Sequence, residues 1–188
     1  MLKNAGVTFV MMGTHGVGGW RSEPRATQDV DCLIRKQHHR KAVEAVKEAY
    51  PALLVEDLPV VTRFKDPVTG KEVIDLMKPA ELIYQQAFKF SVPVGTTHRV
   101  PDLEMALASK FGAIVSPNRR EEKRLVDGGD FVDIIKHNLG AIDMDKLHRL
   151  AEMIYEGAGA DLLKCVDDIR AGERLDLNAL ADKGELLP

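Results

Sequence analysis

Cysteine is scarce in this chain: Cys32 and Cys165 are the only ones among 188 residues. They lie far apart with no partner motif, so neither a disulfide framework nor a thiolate zinc site is indicated. Long apolar runs are also missing. The longest near the start, Val7 to Met12, falls well short of the roughly 20 residues a membrane-spanning helix needs. It also lacks the small-residue cleavage site of a signal peptide. Nor is there an excess of one charge: 26 basic and 29 acidic side chains leave a formal −3. That balance gives no support to a protein that coats DNA. Low-complexity linkers and internal repeats are absent as well. What remains is 45% hydrophobic and 29% charged, the balance of a globular protein and not of a disordered or collagen-like one. We expect a soluble, cytoplasmic protein without a membrane partner.

The chain reads as two halves. The first, residues 1–100, mixes strands and helices. Val7 to Met12 has strand length and runs into a glycine-rich turn. Asp29 to Ile34 alternates, with Val30, Cys32 and Ile34 on one side. From Gln37 to Tyr50 the apolar residues keep helical spacing, and Pro51 ends that helix. Val60–Lys65 and Lys71–Met77 flank a Pro-Val-Thr-Gly turn and read as an antiparallel hairpin. Pro79 to Phe88 reads as a short helix and Phe90 to Val94 as a short strand. The second half, residues 101–188, is nearly all helix and is expected to pack on the first. One helix opens at Pro101-Asp102 and runs to Val115. Arg119 to His137 reads as two helices broken at Gly128-Gly129. Met144–Tyr155 and Asp161–Arg170 each carry an apolar stripe.

Two acids give the first chemical signal. Asp29 and Asp31 stand at i and i+2 of a strand and so share a face. Like charges that close repel unless a cation lies between them. Asp75 is the only charge in the strand Val73 to Met77, and an unpaired carboxylate inside a sheet is costly. If the two strands are neighbours, three carboxylates converge, a hard oxygen set suited to Mg²⁺ or Mn²⁺ and to the ion pair of phosphoryl-transfer sites. The plain alternatives are a solvated edge strand for Asp29 and Asp31, and a structural ion pair for Asp75. Cys32, on the reverse face, reads as packing. At the end of the first strand, the backbone at Gly13 and the Thr14 hydroxyl could hold phosphate oxygens.

These stretches together resemble a known family. Gly13-Thr14-His15-Gly16 followed by Pro24-Arg25-Ala26-Thr27-Gln28-Asp29-Val30-Asp31 looks like the opening of the nucleotidyltransferase superfamily, in which a glycine turn precedes Asp-x-Asp. It is most similar to the branch related to abortive-infection, type IV toxin–antitoxin nucleotidyltransferases. The likeness extends to Lys110 on a later helix and to Arg120, Lys123, Asp130 and Asp133, covering about Val7 to Lys136. Thr14 departs from the usual Gly or Ser. The family usually has a helix before the first strand, where only Met1 to Gly6 stand here, so the expectation is a start that is either truncated or misassigned.

The resemblance implies an α+β fold: a small mixed sheet with flanking helices, then a helical C-terminal part. It also implies transfer of a nucleoside monophosphate from an NTP to a hydroxyl of tRNA or other RNA, a protein or a small molecule, with an antitoxin as a further partner. Asp29, Asp31 and Asp75 would be catalytic and would bind the metal. Gly13, Thr14, Arg25, Thr27 and Lys110 would bind nucleotide. Arg25 either holds a phosphate or pairs with an acid, and Thr27 either joins it or shapes the turn. Lys110 sits on an apolar helix face with Leu103, Leu107 and Ile114, where it either snorkels to water or reaches phosphates. His15 reads as a hydrogen-bonding turn residue. Asp130, Asp133 and His137 read as a solvated face, and Arg119, Arg120, Lys123 and Arg124 as a solvated helix start able to meet an RNA backbone. The competing function is a non-catalytic module that keeps the fold and binds nucleotide or a partner. A phosphoesterase is less supported, since no histidine-rich metal cluster accompanies the acids.

Overall fold

A computed structural model describes residues 1–181, 183 and 187. The chain divides into two compact units, one of residues 1–18, 25–80 and 87–101, the other of residues 19–24, 81–86 and 102–188. The chain thus enters the helical unit twice before its second half begins.

The first unit is built on a mixed five-stranded sheet. Its strands are β1 (Phe9–Met11), β2 (Val30–Ile34), β3 (Leu54–Asp57), β4 (Val61–Lys65) and β5 (Glu72–Met77), in the spatial order β1-β2-β5-β4-β3. Only β2 and β5 run parallel; the other neighbours are antiparallel. Two short helices punctuate the chain, α1 (Gly13–Val17) and α2 (His39–Ala49). Alternation along the strands sends Cys32, Ile34, Phe64 and Leu76 to one face, where Ala42 and Val46 of α2 join them in a core with Leu2 and Val7. Ala42 and Val46 are four apart and meet the sheet from one side of the helix. Each large apolar side chain sunk here contributes about 1.5–3 kcal/mol. The opposite face of β2, β5 and β4 carries Asp31, Asp75 and Arg63 alongside the buried Leu33 and Val61. A separate hairpin, β6 (Ser91–Val94) with β7 (His98–Pro101), completes the unit.

Among the described residues, the helical unit contains α3 (Leu82–Gln86), α4 (Leu103–Val115), α5 (Glu121–His137), α6 (Met144–Ala151), α7 (Ala158–Arg170) and α8 (Leu177–Ala181). Helix α4 is its centre, buried on all sides as an almost uniformly apolar helix must be. Its N-terminus is capped by Asp102, which accepts from the Met105 amide at 3.1 Å. At its other end Arg124 donates to the carbonyls of Ile114 (2.8 Å) and Ser116 (3.0 Å). Arg124 is therefore an end-cap and not part of a solvated basic face. No helix among the described residues is long and apolar enough to cross a membrane.

The structure departs from the sequence expectation in several elements. Helix α5 is continuous where a break was expected at Gly128-Gly129. A Cβ on Gly128 would stand 2.9 Å from a Leu177 methyl, so this glycine makes room for α8 instead of ending a helix. Helix α6 stops at Ala151 and not at Tyr155. Strands β3 and β7 and helix α8 were not anticipated at all.

Candidate active site

The site is assembled in the sheet unit, where β1 ends against α1. Gly13 adopts φ +56°, a left-handed conformation that disfavours any side chain. A Cβ there would lie 1.9 Å from Asp31 Oδ2. The Met12 amide donates to the Asp31 carbonyl at 2.8 Å, so turn and strand are locked together. Gly16 is equally constrained, because its Cβ would stand 2.5 Å from the Met11 carbonyl oxygen. The two glycines let the chain fold back tightly over the carboxylate of Asp31. Thr14 is half-buried beside this turn, and His15 is exposed.

The parallel pairing of β2 and β5 sets Asp31 directly opposite Asp75. Directly opposite residues of paired strands project from one sheet face, so the two carboxylates are neighbours from separate stretches of sequence. On the other side of Asp75 the register places Arg63 of β4. Its Nε approaches Asp75 Oδ2 at 3.3 Å and its Nη1 approaches Glu72 Oε1 at 3.1 Å. The second oxygen of Asp75, Oδ1, is buried and has no hydrogen-bond partner. Burial pushes the carboxyl of Asp75 above its ordinary value, Arg63 pulls against that shift, and the nearby charges of Glu72 and Asp29 add to it. Asp29 lies just ahead of β2, and its carboxylate accepts from the Thr27 hydroxyl. Thr27 is half-buried and Arg25 is exposed. On the reverse face, burial pushes the Cys32 thiol to about 12, with the Asp31 charge adding to it; this thiol is inert packing.

The donor set is one of hard oxygens. Asp75 offers a buried oxygen without a partner, and the missing Cβ of Gly13 gives room to the Asp31 carboxylate. Those features fit Mg²⁺ or Mn²⁺ held by Asp29, Asp31 and Asp75. The side chains are not drawn together for it, however. Among the described residues no three His, Cys, Asp or Glu groups are gathered closely enough to hold a metal ion.

Lys110, expected to snorkel to water or to reach phosphates, does not snorkel. It is 6% exposed, and its Nζ donates to Asp127 at 2.8 Å and to Asp130 at 2.7 Å. A buried ammonium needs such partners, and two carboxylates of α5 supply them. Asp130 and Asp133 are likewise not a solvated face: Arg21 lies 2.8 Å from Asp130 and 3.0 Å from Asp133, and the Ser22 hydroxyl donates to Asp133 at 2.6 Å. Arg119 closes the set by pairing with Asp127. This network holds residues 19–24 within the helical unit.

Sequence reasoning missed Arg63 and Glu72. The signal for Arg63 was available, since it is a lone guanidinium in a strand whose Thr62 and Phe64 face the other way.

Sequence comparison matches the chain to no family model and to no curated protein. Solved structures give a clearer answer. An antigenic nucleotidyltransferase-like protein from Paracoccidioides brasiliensis superposes with a TM-score of 0.51 at 15% identity, covering 95% of this chain and 90% of its own. ANT(2")-Ia in complex with adenylyl-2"-tobramycin superposes with a TM-score of 0.52 at 17% identity, over 87% of this chain and 91% of its own. The fold is that of the nucleotidyltransferases. In this nucleotidyltransferase fold the acids of β2 and β5 stand side by side next to the glycine turn that ends β1. The α+β expectation, a small mixed sheet followed by helices, describes the molecule.

Proposed function

We propose that this protein is a divalent-cation-dependent nucleotidyltransferase. The observation that carries the reading is the juxtaposition of Asp31 and Asp75 across parallel strands, with Gly13 folded over the first and a partnerless oxygen on the second. Asp29, Asp31 and Asp75 would hold the metal, which supplies positive charge against the triphosphate and its leaving group. The chain's own groups do the rest. The turn at Gly13 and Thr14 holds phosphate oxygens, and Arg25 and Thr27 flank the nucleotide. The acceptor oxygen attacks the α-phosphorus, the bond from that phosphorus to the β-bridging oxygen breaks, and pyrophosphate leaves. Asp75 Oδ1 receives the acceptor's proton. A carboxyl with a raised affinity for protons suits that duty. Most of the rate comes from positioning and charge complementarity.

The acceptor is a hydroxyl of a small molecule, an RNA such as tRNA, or a protein. The adenylylated aminoglycoside in the ANT(2")-Ia structure supports the first of these. The Pro24-Arg25-x-Thr27-x-Asp29-x-Asp31 pattern supports the abortive-infection branch, and with it a toxin-like role and an antitoxin partner. Lys110 enters this reading as a buried cation that Asp127 and Asp130 hold, and the nucleotide's phosphates are left to the residues of the sheet unit. One observation favours a second reading, a non-catalytic nucleotide-binding module: Asp75 is paired with Arg63 and the three acids are not gathered.

Incubation with each α-labelled NTP separates the two. Transfer of label to an acceptor, with Mg²⁺ or Mn²⁺ required, supports the enzyme; binding without transfer supports the module. The Asp29→Asn protein should keep its circular dichroism spectrum and lose at least about 100-fold in transfer rate. Equal turnover by wild type and variant would remove the metal role assigned to Asp29.

A further inference from the structure

Asp75 already has a cation. Arg63 reaches it through a single contact, Nε to Oδ2 at 3.3 Å, just beyond the usual range for an N–H···O bond. The same guanidinium makes a closer contact with Glu72, at 3.1 Å. One group therefore serves two carboxylates, neither of them in the bidentate manner that makes arginine pairs strong. The Asp75 side chain is 13% exposed, whereas those of Arg63 and Glu72 are 32% and 29% exposed. The arginine and its second partner thus have access to solvent that Asp75 lacks. The pairing also leaves Asp75 incomplete, since Oδ1 stays buried without a partner. The arrangement is fixed by the sheet: Asp31, Asp75 and Arg63 are successive cross-strand neighbours on β2, β5 and β4.

We propose that Arg63 is a resident counter-cation that holds Asp75 until a divalent ion takes its place, with Glu72 keeping the guanidinium when Asp75 releases it. The inference rests on the metal-dependent reading given above and adds a control step to the same site. Arg63 and an incoming ion compete for one carboxylate, and two cations sharing it would repel. Glu72 lowers the cost of the exchange, because Arg63 trades two partners for one instead of being stranded. Arg63 is a positioning residue in this scheme: it touches no substrate and acts through Asp75.

The test uses the full chain without nucleotide and Mn²⁺ alone, with free Mn²⁺ read from its electron paramagnetic resonance signal. Arg63→Gln should tighten Mn²⁺ binding by about tenfold, the scale of one unit charge removed near a partly screened site. Arg63→Lys, which keeps the charge, should stay close to wild type. Glu72→Gln should weaken binding, and should weaken it less when introduced into Arg63→Gln, because part of its effect runs through the arginine. Unchanged or weaker binding by a folded Arg63→Gln overturns the inference while leaving the nucleotidyltransferase reading intact. If Arg63→Gln does not fold, Glu72→Gln decides: an unchanged Mn²⁺ affinity overturns the proposal and a weakened one supports it. A wild-type protein that binds no Mn²⁺ at all removes both readings together.

Discussion

Gly13 shows how much of a site depends on an atom that is missing. The residue combines a left-handed backbone at φ +56° with a carboxylate oxygen where its Cβ would be. Gly13→Ala must therefore both strain the turn and displace Asp31, and should lower stability by about 1–3 kcal/mol in urea denaturation. Label transfer should fall with it, since Asp31 loses its place beside Asp75. Gly95→Ala is the matching control. Its φ of +54° carries the same backbone strain, but nothing lies within 4 Å of the added carbon, so its cost should be the smaller. The glycine turn and the two acids after it were legible in the sequence because their spacing is local. The steric reason for Gly13 was not, because it involves a residue on another strand. Lys110 makes the same point in reverse. Its apolar surroundings could be read from helical spacing, but its partners lie 17 and 20 residues away.

Helix α5 carries two adjacent glycines with opposite roles. Gly129 is exposed with open space around it, whereas Gly128 is buried against Leu177. Gly129→Ala should stabilise the protein by about 0.5–1 kcal/mol, the helix-propensity gain at an unencumbered site. Gly128→Val should destabilise it by about 1–3 kcal/mol through overpacking; thermal melts of the pair measure both. A uniform response of the two positions would mean that α8 does not pack as described. Sequence reading took the pair for a helix break because a tertiary contact leaves no periodic trace. Strand β2 was legible from its alternation, and β4 and β5 from the turn they flank. Strand β3 was not, since all its residues are exposed at the sheet edge and no alternation of buried and exposed positions marks it. Strand β7 was hidden for a related reason: its burial does not alternate, running intermediate until Pro101.

Across the whole molecule, proton linkage sets the working range. Partial burial pushes Asp133 up, but the Ser22 hydroxyl and Arg21 outweigh it and hold the carboxyl below its ordinary value. Asp161 behaves alike, with burial opposed by the Tyr155 hydroxyl and Lys183. Groups lowered in this way contribute stability that is complete above the unfolded carboxylate value of about 4 and is lost as pH falls through their folded values. Lys146 has the opposite sign. Burial lowers it, Asp102 and Glu104 outweigh burial, and its contribution is present below the ordinary lysine value and lost as pH rises through the raised one. Unfolding free energy should therefore decline below about pH 5, with His39, lowered by burial, adding a loss from about pH 6.5 downward. On the alkaline side it should decline from about pH 9, where unfolding lets the buried, raised thiols of Cys32 and Cys165 ionise. Asp133→Asn should flatten the acid limb; an unaltered limb would show that Arg21 and Ser22 do not hold that carboxyl.

The twofold crossing of the chain has a consequence for any attempt to dissect it. Residues 19–24 and 81–86 belong with the helices, although both precede Pro101. A gene cut after that proline would yield an amino-terminal fragment carrying Arg21 and Ser22 without Asp130 and Asp133, and a carboxy-terminal fragment in which Asp133 has lost both and Asp130 keeps Lys110. Neither product would be whole by itself, and the two would have to be made together to complement each other.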